Sequence, residues 1–447
     1  MSQETIFGTD GIRGRAGEGW LTLERAAQVG EALGHVLASG PTRVALLAHD
    51  GRRSGPGLEA AVARGLNAAG ITCVSAGLLP TPGLAWLTRE GDFVLGVMIS
   101  ASHNPAADNG IKVFSGAGDK LSDEQQAAIE ARLHEPAPEL PETERPSFNP
   151  ELENDYLKHL VDTIGAGLNL SGLSIVLDCA HGAGSRVGPK VFGRLGALVH
   201  TIGTDPDGEN INHEVGSTHP EALMDEVRSR GAGFGVALDG DGDRCMLVDE
   251  QSNLVHGDGI LTVLGRHAAS SGKNCDSRLV ATIMSNRGLH RALREVGVDV
   301  VEVGVGDRQV VEALRKESLS LGGEQSGHVI LGESNAFIGD GLVTALAVLR
   351  VMKATGASLS SLVAPYQPFP QVLINVRVSS KPQLRELPEV IAMVRHVEQQ
   401  LGVDGRVLLR YSGTEDLARV MVEGPDEKTI HAHANALVGL LTEAIGA

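Results

Sequence analysis

Phe93-Val94-Leu95-Gly96-Val97-Met98-Ile99 runs without a polar side chain into Ser100-Ala101-Ser102-His103-Asn104-Pro105. An unbroken apolar run of this length reads as a strand buried on both faces, the habit of parallel sheets. The residues that follow then occupy a loop at a strand's carboxyl end, where α/β folds gather their ligands. Ser102, beside His103, is a candidate carrier of a phosphoryl group in that loop. The alternative is a turn before Pro105 in which Ser102 bonds only local backbone, and the rest of the chain must decide between them.

Outward from this loop the pattern alternates. Upstream, a helical stretch near Glu24 to Ser39, an apolar strand Val44 to Ala48, a helix near Gly57 to Ala69 and the run Ile71 to Val74 form β/α units. Phe7-Gly8-Thr9-Asp10-Gly11-Ile12-Arg13-Gly14 sets three glycines around Arg13, the composition of a loop whose backbone approaches an anion; the alternative is an Arg13 that bridges to a carboxylate. Downstream, Asp108 to Phe114 reads as a turn feeding a strand, with Lys112 either a cation near Ser102 or a solvated lysine. Between Glu135 and Pro150 five prolines sit among acidic residues, a composition that resists helix and sheet and reads as a linker.

The composition fits an α/β enzyme. At 447 residues the chain is long enough for about two to four domains. Aromatics are only 3% and glycines number 57, so the interior is aliphatic and many loops need special backbone conformations. A net charge of −18 argues against nucleic acid or an anionic membrane as a general partner. The four cysteines lie far apart with no C-x-x-C pair, which excludes a zinc knuckle or dithiol site. With no leader-like N-terminus and no apolar run of ~18 residues, the expectation is a soluble, cytoplasmic protein.

A second α/β block holds the strands Ser174 to Asp178 and Leu198 to His200. Gly182 and Gly184 match the start of a dinucleotide fingerprint, but Val187 occupies its third glycine position. The block ends in Phe234-Gly235-Val236-Ala237-Leu238 followed by Asp239-Gly240-Asp241-Gly242-Asp243-Arg244. Three carboxylates alternating with glycine can converge on one divalent cation, whereas unpaired they would repel one another. A calcium EF-hand loop also fits Asp239, Asp241, Asp243 and Glu250, but Arg244 stands at the turn glycine and the flanks look like strands. Three protein carboxylates leave a cation room for a phosphate oxygen, the habit of Mg²⁺.

A third block carries the loop Val305-Gly306-Asp307-Arg308 and the turn Gly322-Gly323-Glu324-Gln325-Ser326-Gly327-His328, where carboxylate, hydroxyl and imidazole sit among glycines. Such a set bonds sugar hydroxyls and transfers protons, unless it is a plain hairpin turn. The last block places Arg410-Tyr411-Ser412-Gly413-Thr414 and Arg419 between two strands. Guanidinium forks, hydroxyls and a glycine-permitted nest suit a dianionic phosphate, the alternative being a hairpin with surface arginines.

These four loops, in this order, resemble the α-D-phosphohexomutase family from end to end, and Ser-Ala-Ser-His-Asn-Pro with Gly-Glu-Gln-Ser-Gly-His resembles its bacterial phosphoglucosamine mutase branch. The resemblance implies four domains around a central cleft, three alike and α/β, the fourth a smaller sheet-and-helix lid; we place them at 1–150, 151–253, 254–366 and 367–447. It implies a phosphoserine at Ser102, Mg²⁺ on Ser102, Asp239, Asp241 and Asp243, and sugar contacts from Glu324 and Ser326. Arg244, Arg308, Arg410, Ser412, Gly413, Thr414 and Arg419 match substrate-binding positions, and Arg13, His103, Lys112 and His328 match positions of charge stabilisation or proton transfer. The implied reaction interconverts glucosamine 6-phosphate and glucosamine 1-phosphate through a 1,6-bisphosphate, supplying UDP-N-acetylglucosamine and cell-wall precursors. A phosphoglucomutase/phosphomannomutase is the alternative. Tyr411 and Asp416 depart from the family's usual residues in the phosphate loop, and oligomeric state stays open, a homodimer included.

Overall fold

In a computed structural model, which describes residues 6–8, 10–38, 40–135, 144–271, 277–412 and 416–446, four sheets follow one another along the chain. The run that decides the fold becomes the strand Leu95–Ile99, all five residues buried. It lies between the parallel strand Val44–His49 and the antiparallel strand Asp108–Ser115. The second sheet repeats the plan: Phe234–Leu238, again wholly buried, lies between parallel Ser174–Asp178 and antiparallel Cys245–Val248. The third does so in brief, with Gly322–Gly323 parallel to Arg278–Thr282 and antiparallel to Val329–Ile330. In each, the chain leaves a parallel core at its carboxyl end, forms a loop and returns antiparallel. The three loops are the serine loop, the aspartate loop and the Glu324 to His328 turn.

Helices start where the sequence supplies caps. Ser122 and Gln125 form a reciprocal capping box on the helix Asp123–Leu133. Asp340 Oδ1 accepts from Leu342 N at 2.8 Å and Val343 N at 3.1 Å, starting the apolar helix Gly341–Thr355. The other Asp340 oxygen accepts from the Tyr156 hydroxyl at 2.6 Å, which fastens the second block to the third. One aliphatic core runs through all three α/β blocks, from Leu46 and Met98 through Leu177 and Leu238 to Leu349. The fourth block is a three-stranded antiparallel sheet, Gln371–Arg377, Leu417–Glu423 and Arg406–Tyr411, with its own core.

Two edges differ from the sequence reading. Ser147–Phe148, inside the proline-rich linker, pair in parallel with Thr72–Leu78. An edge strand tolerates the flanking Pro146 and Pro150 because only one side of it is bonded. Leu254–Val255, assigned to the third block, pair with Val248 and Leu247, so the second sheet runs past residue 253. Cys73, Cys179 and Cys245 are buried and free, and Cys275 lies outside the described residues. Among the described residues no helix is long and apolar enough to cross a membrane.

Candidate active site

The three hairpin tips meet at a cleft of about 990 Å³. Ser102 is fully buried and has a left-handed backbone, φ 52°, which only a tightly held loop imposes on a residue other than glycine. Its Oγ donates to Asp239 Oδ2 at 2.6 Å, across the boundary between the first two blocks, and lies 3.3 Å from His103 Nδ1. Burial, then Arg244 and Arg13, bring the His103 pKa down to about 4, so the imidazole is neutral at physiological pH.

Asp239, Asp241 and Asp243 are all buried, and ligand atoms from the three lie within 4.8 Å of one another. Asp241 Oδ1 and Asp243 Oδ1 are buried without a hydrogen-bond partner among the described residues. Burial, Asp243 and Asp241 push the Asp239 carboxyl well above the usual range. Orphaned oxygens and buried carboxylates that repel one another are what a hard divalent cation would relieve, so the donor set fits one. Because the Asp239 carboxyl is pushed upward, cation binding competes with its protonation. Affinity, measured calorimetrically with Mg²⁺, is expected to rise with pH until that carboxyl ionises and to fall below it; a pH-independent affinity would contradict this account.

Around the triad the charges alternate in a closed ring. Lys112, 2% exposed, reaches Asp241 at 2.7 Å, Asp10 at 2.9 Å and Asp243 at 3.4 Å. Asp10 also pairs with Arg13 and Lys120, and Lys120 reaches Asp307 at 2.6 Å. His328 closes the ring, with Nε2 3.7 Å from Asp307 and Nδ1 3.6 Å from Asp243. Burial lowers the Lys112 pKa, but Asp10, Asp241 and Asp243 overcome it and hold the ammonium well above its ordinary value. Burial likewise opposes the His328 cation, yet Asp243 and Asp307 leave its pKa raised. The aspartates answer in kind: against burial, Lys112 and Lys120 hold Asp10 low, and Lys112 and His328 hold Asp243 low.

Of the residues singled out from the sequence, Arg13, His103, Asp243, Arg244, Glu324, Ser326 and His328 line the cleft, and Ser102, Lys112, Asp239 and Asp241 stand behind its wall. Glu324 Oε1 accepts from Gly306 N at 3.1 Å, docking the 305–308 loop. Arg308 is not brought into this set: it pairs with Asp123 at 2.6 Å and Glu312 at 3.1 Å, and its neighbour Asp307 faces the cleft instead. Arg410 and Arg419 are directly opposed across the fourth block's sheet, with Ser412 at the strand end; the cleft lining comes from the other three blocks. Gly413 and Thr414 lie outside the described residues. Asp416, 89% exposed, is met by Lys381 at 3.4 Å. Sequence reading missed Asp10 and Lys120 in the ring, and Thr81, whose hydroxyl donates to Asp241 at 2.5 Å.

A buried serine bonded to a carboxylate triad, behind the wall of a cleft where Arg13, Lys120 and Arg244 alternate with Asp10, Asp243, Asp307 and Glu324 between three like α/β blocks, defines a phosphoryl-transfer enzyme of the phosphohexomutase class. Residues 4–139, 154–253 and 256–369 match the phosphoglucomutase/phosphomannomutase alpha/beta/alpha domains I, II and III, and 373–440 match its C-terminal domain. The chain belongs to this phosphohexomutase family, in its bacterial phosphoglucosamine mutase branch. It is 44% identical over 448 residues to the phosphoglucosamine mutase of Bacillus subtilis (strain 168), covering 98% of this chain and 99% of that one. To that of Mycobacterium marinum (strain ATCC BAA-535 / M) it is 47% identical over 446 residues, with the same coverage. Among solved structures, a phosphoglucomutase/phosphomannomutase family protein from Burkholderia thailandensis superposes with a TM-score of 0.80 at 25% identity, covering 99% of this chain and 98% of that one. The N-acetylphosphoglucosamine mutase of Aspergillus fumigatus, in complex with GlcNAc-6P and magnesium, shares the fold at a TM-score of 0.67 and 18% identity, covering 99% and 96%.

Proposed function

We propose that the chain interconverts glucosamine 6-phosphate and glucosamine 1-phosphate, with Ser102 as the phosphoryl carrier. Phosphoserine 102 gives its phosphoryl group to the free hydroxyl of the monophosphate, forming the 1,6-bisphosphate. After the sugar turns over, the other phosphoryl group returns to Ser102 Oγ, and no phosphate is consumed. The observation that carries this reading is the 2.6 Å bond from Ser102 Oγ to Asp239 of the triad. A hydroxyl bonded to a carboxylate triad, behind a cleft that Arg13, Lys120 and Arg244 help to line, supports a role in transfer rather than in a structural turn.

Asp239, Asp241 and Asp243, with an oxygen of phosphoserine 102, are the residues we assign to Mg²⁺, which when bound neutralises charge on the moving group. Arg13 and Arg244 at the cleft, and Lys112 behind its wall, contribute fixed positive charge. Lys112 is buried among three carboxylates behind the cleft wall, whereas His328 lines the cleft, so we assign the proton exchange with the sugar hydroxyl to His328. Glu324 and Ser326 take the sugar hydroxyls. Arg410, Ser412 and Arg419, with Gly413 and Thr414, grip the far phosphate when the fourth block swings over the cleft. One chain supplies the whole set, so the chemistry does not require a homodimer. Acting on free sugar phosphates, the enzyme works in the cytoplasm.

The test is turnover of glucosamine 6-phosphate, with glucose and mannose phosphates in parallel, in Mg²⁺ and a trace of hexose 1,6-bisphosphate. Preferred formation of glucosamine 1-phosphate is the expected result. Preference for the neutral sugars would move the chain to the sister phosphoglucomutase/phosphomannomutase activity with its mechanism intact.

A further inference from the structure

We propose that Arg52 and Asn212 form a two-domain clamp that sets the position of Ser102, and that they act as positioning residues for its phosphoryl transfer. The proposal rests on Ser102 being the carrier. Arg52 is fully buried, among the largest side chains of the described residues to be so. A guanidinium has five N–H donors in a planar fork, and each finds an acceptor. Nε donates to Asp50 Oδ2 at 2.8 Å, Nη2 to the Ser102 and Asn104 carbonyls at 2.9 Å each, and Nη1 to the Asp108 carbonyl at 3.0 Å and the Pro105 carbonyl. Three of the five acceptors are backbone carbonyls of the serine loop, and a fourth, that of Asp108, opens the strand that leaves it.

Asn212 reaches the same loop from the second block. Its Nδ2 donates to the Ser102 carbonyl at 2.8 Å and the Asn104 carbonyl at 3.1 Å, the two that Arg52 Nη2 also holds. Asn212 Oδ1 is buried with no hydrogen-bond partner among the described residues, so the amide is engaged through its donor end. Asn212 itself has φ 58°, and its N–H is fixed to the Ala180 carbonyl at 2.9 Å. The other side of Ser102 is pinned too: its N–H donates to Ser100 Oγ at 2.8 Å, and Ser100 Oγ donates to Asp50 Oδ2 at 2.6 Å. A Cβ on Gly240, next to Asp239, would lie 2.6 Å from the Ser102 carbonyl and 2.8 Å from Asn212 Nδ2, so the aspartate loop seats directly on the clamp.

The consequence concerns the reaction. A carrier that gives and receives at one oxygen must return to the same place against groups fixed in another domain. Arg52 fixes the loop's shape within the first block, and Asn212 fixes its register on the block that holds Asp239. A displacement of ~1 Å costs transfer about 100-fold while leaving substrate contacts elsewhere untouched.

The test compares Asn212→Ala with Asn212→Asp in the full chain, and adds Arg52→Lys where it folds. Two quantities are read: kcat and KM for glucosamine 6-phosphate, and amide hydrogen exchange of the peptide spanning Ser102 to Pro105. Asn212→Ala is expected to lower kcat about 100-fold with KM within about 3-fold, and to speed exchange in that peptide. Asn212→Asp, although isosteric, turns an acceptor toward two carbonyls and is expected to lose more than the alanine variant; a side chain needed only for packing would give the reverse order. Unchanged exchange in Asn212→Ala overturns the clamp whatever the activity. Faster exchange with unchanged kcat, or a loss confined to KM, overturns its part in transfer. Wild-type protein that exchanges slowly in this peptide but turns over no hexose phosphate overturns the mutase reading and leaves the clamp standing.

Discussion

Ser102→Ala is expected to lower mutase turnover by roughly 10⁴-fold or more, because removing a covalent carrier leaves only binding and electrostatics to act on the direct route. Incorporation of label from a radioactive 1,6-bisphosphate should vanish with it. The fold should survive, since alanine removes one hydroxyl whose partner, Asp239, already holds its carboxyl well above the usual range and can keep the proton itself. Ser100, the other hydroxyl of the loop, is no substitute: its Oγ is buried, donates to Asp50 and accepts from the Ser102 amide. Near-normal turnover in Ser102→Ala would therefore remove the carrier assignment without transferring it to a neighbour. Release of inorganic phosphate by the variant would instead indicate a phosphatase with an aspartate nucleophile.

What the sequence disclosed, and what it hid, follows from how far apart in the chain a feature's parts lie. The buried strands Leu95–Ile99 and Phe234–Leu238 were legible because one apolar run carries the whole signal. The aspartate triad was legible because its ligands alternate with glycine over five residues. Arg52 was not. In His49-Asp50-Gly51-Arg52-Arg53-Ser54 it reads as surface turn, and only contacts some fifty residues away bury it. A signal existed, since the segment follows the strand Val44–His49 at its carboxyl end, the argument that singled out Ser102. Asn212, Asp10 and Lys120 carry no such mark, because each is defined by a partner in another block or at a distant loop. The loop 305–308 did stand out, and the family resemblance pointed to Arg308 in it, whereas the helix Asp307–Glu317 turns that side chain toward Asp123 and leaves Asp307 at the cleft. The edge strands Ser147–Phe148 and Leu254–Val255 were missed because two residues carry no periodicity.

The ring of alternating charge gives the second large effect. Lys112→Met is expected to cost about 3–5 kcal/mol of folding stability in chelator, the range for removing one partner of a buried ionic set. Methionine fills similar volume, so the loss is electrostatic: Asp10, Asp241 and Asp243 keep their burial and lose the ammonium that reaches all three. Asp10 retains Arg13 and Lys120, and Asp241 retains Thr81, which is why the fold should weaken rather than disappear. The sign of the pH dependence follows from the two directions of shift. The raised Lys112 pKa means its contribution is fully present below the ordinary lysine value of about 10.4 and is lost only as pH rises through the folded value. The lowered Asp10 and Asp243 pKa values contribute stability that is present above the ordinary carboxylate value of about 3.9 and is lost as pH falls through the folded values. The gap between wild type and variant, read from urea midpoints, should therefore be widest near neutrality and close on acidification, where the variant's carboxylates take up protons earlier. Excess Mg²⁺ should narrow it as well, because a carboxylate cluster without a competing ammonium holds a divalent cation more tightly. Coincident midpoints at pH 7 in chelator would show that Lys112 is not the counter-charge that keeps this triad folded, and a gap indifferent to Mg²⁺ would separate Lys112 from the cation site.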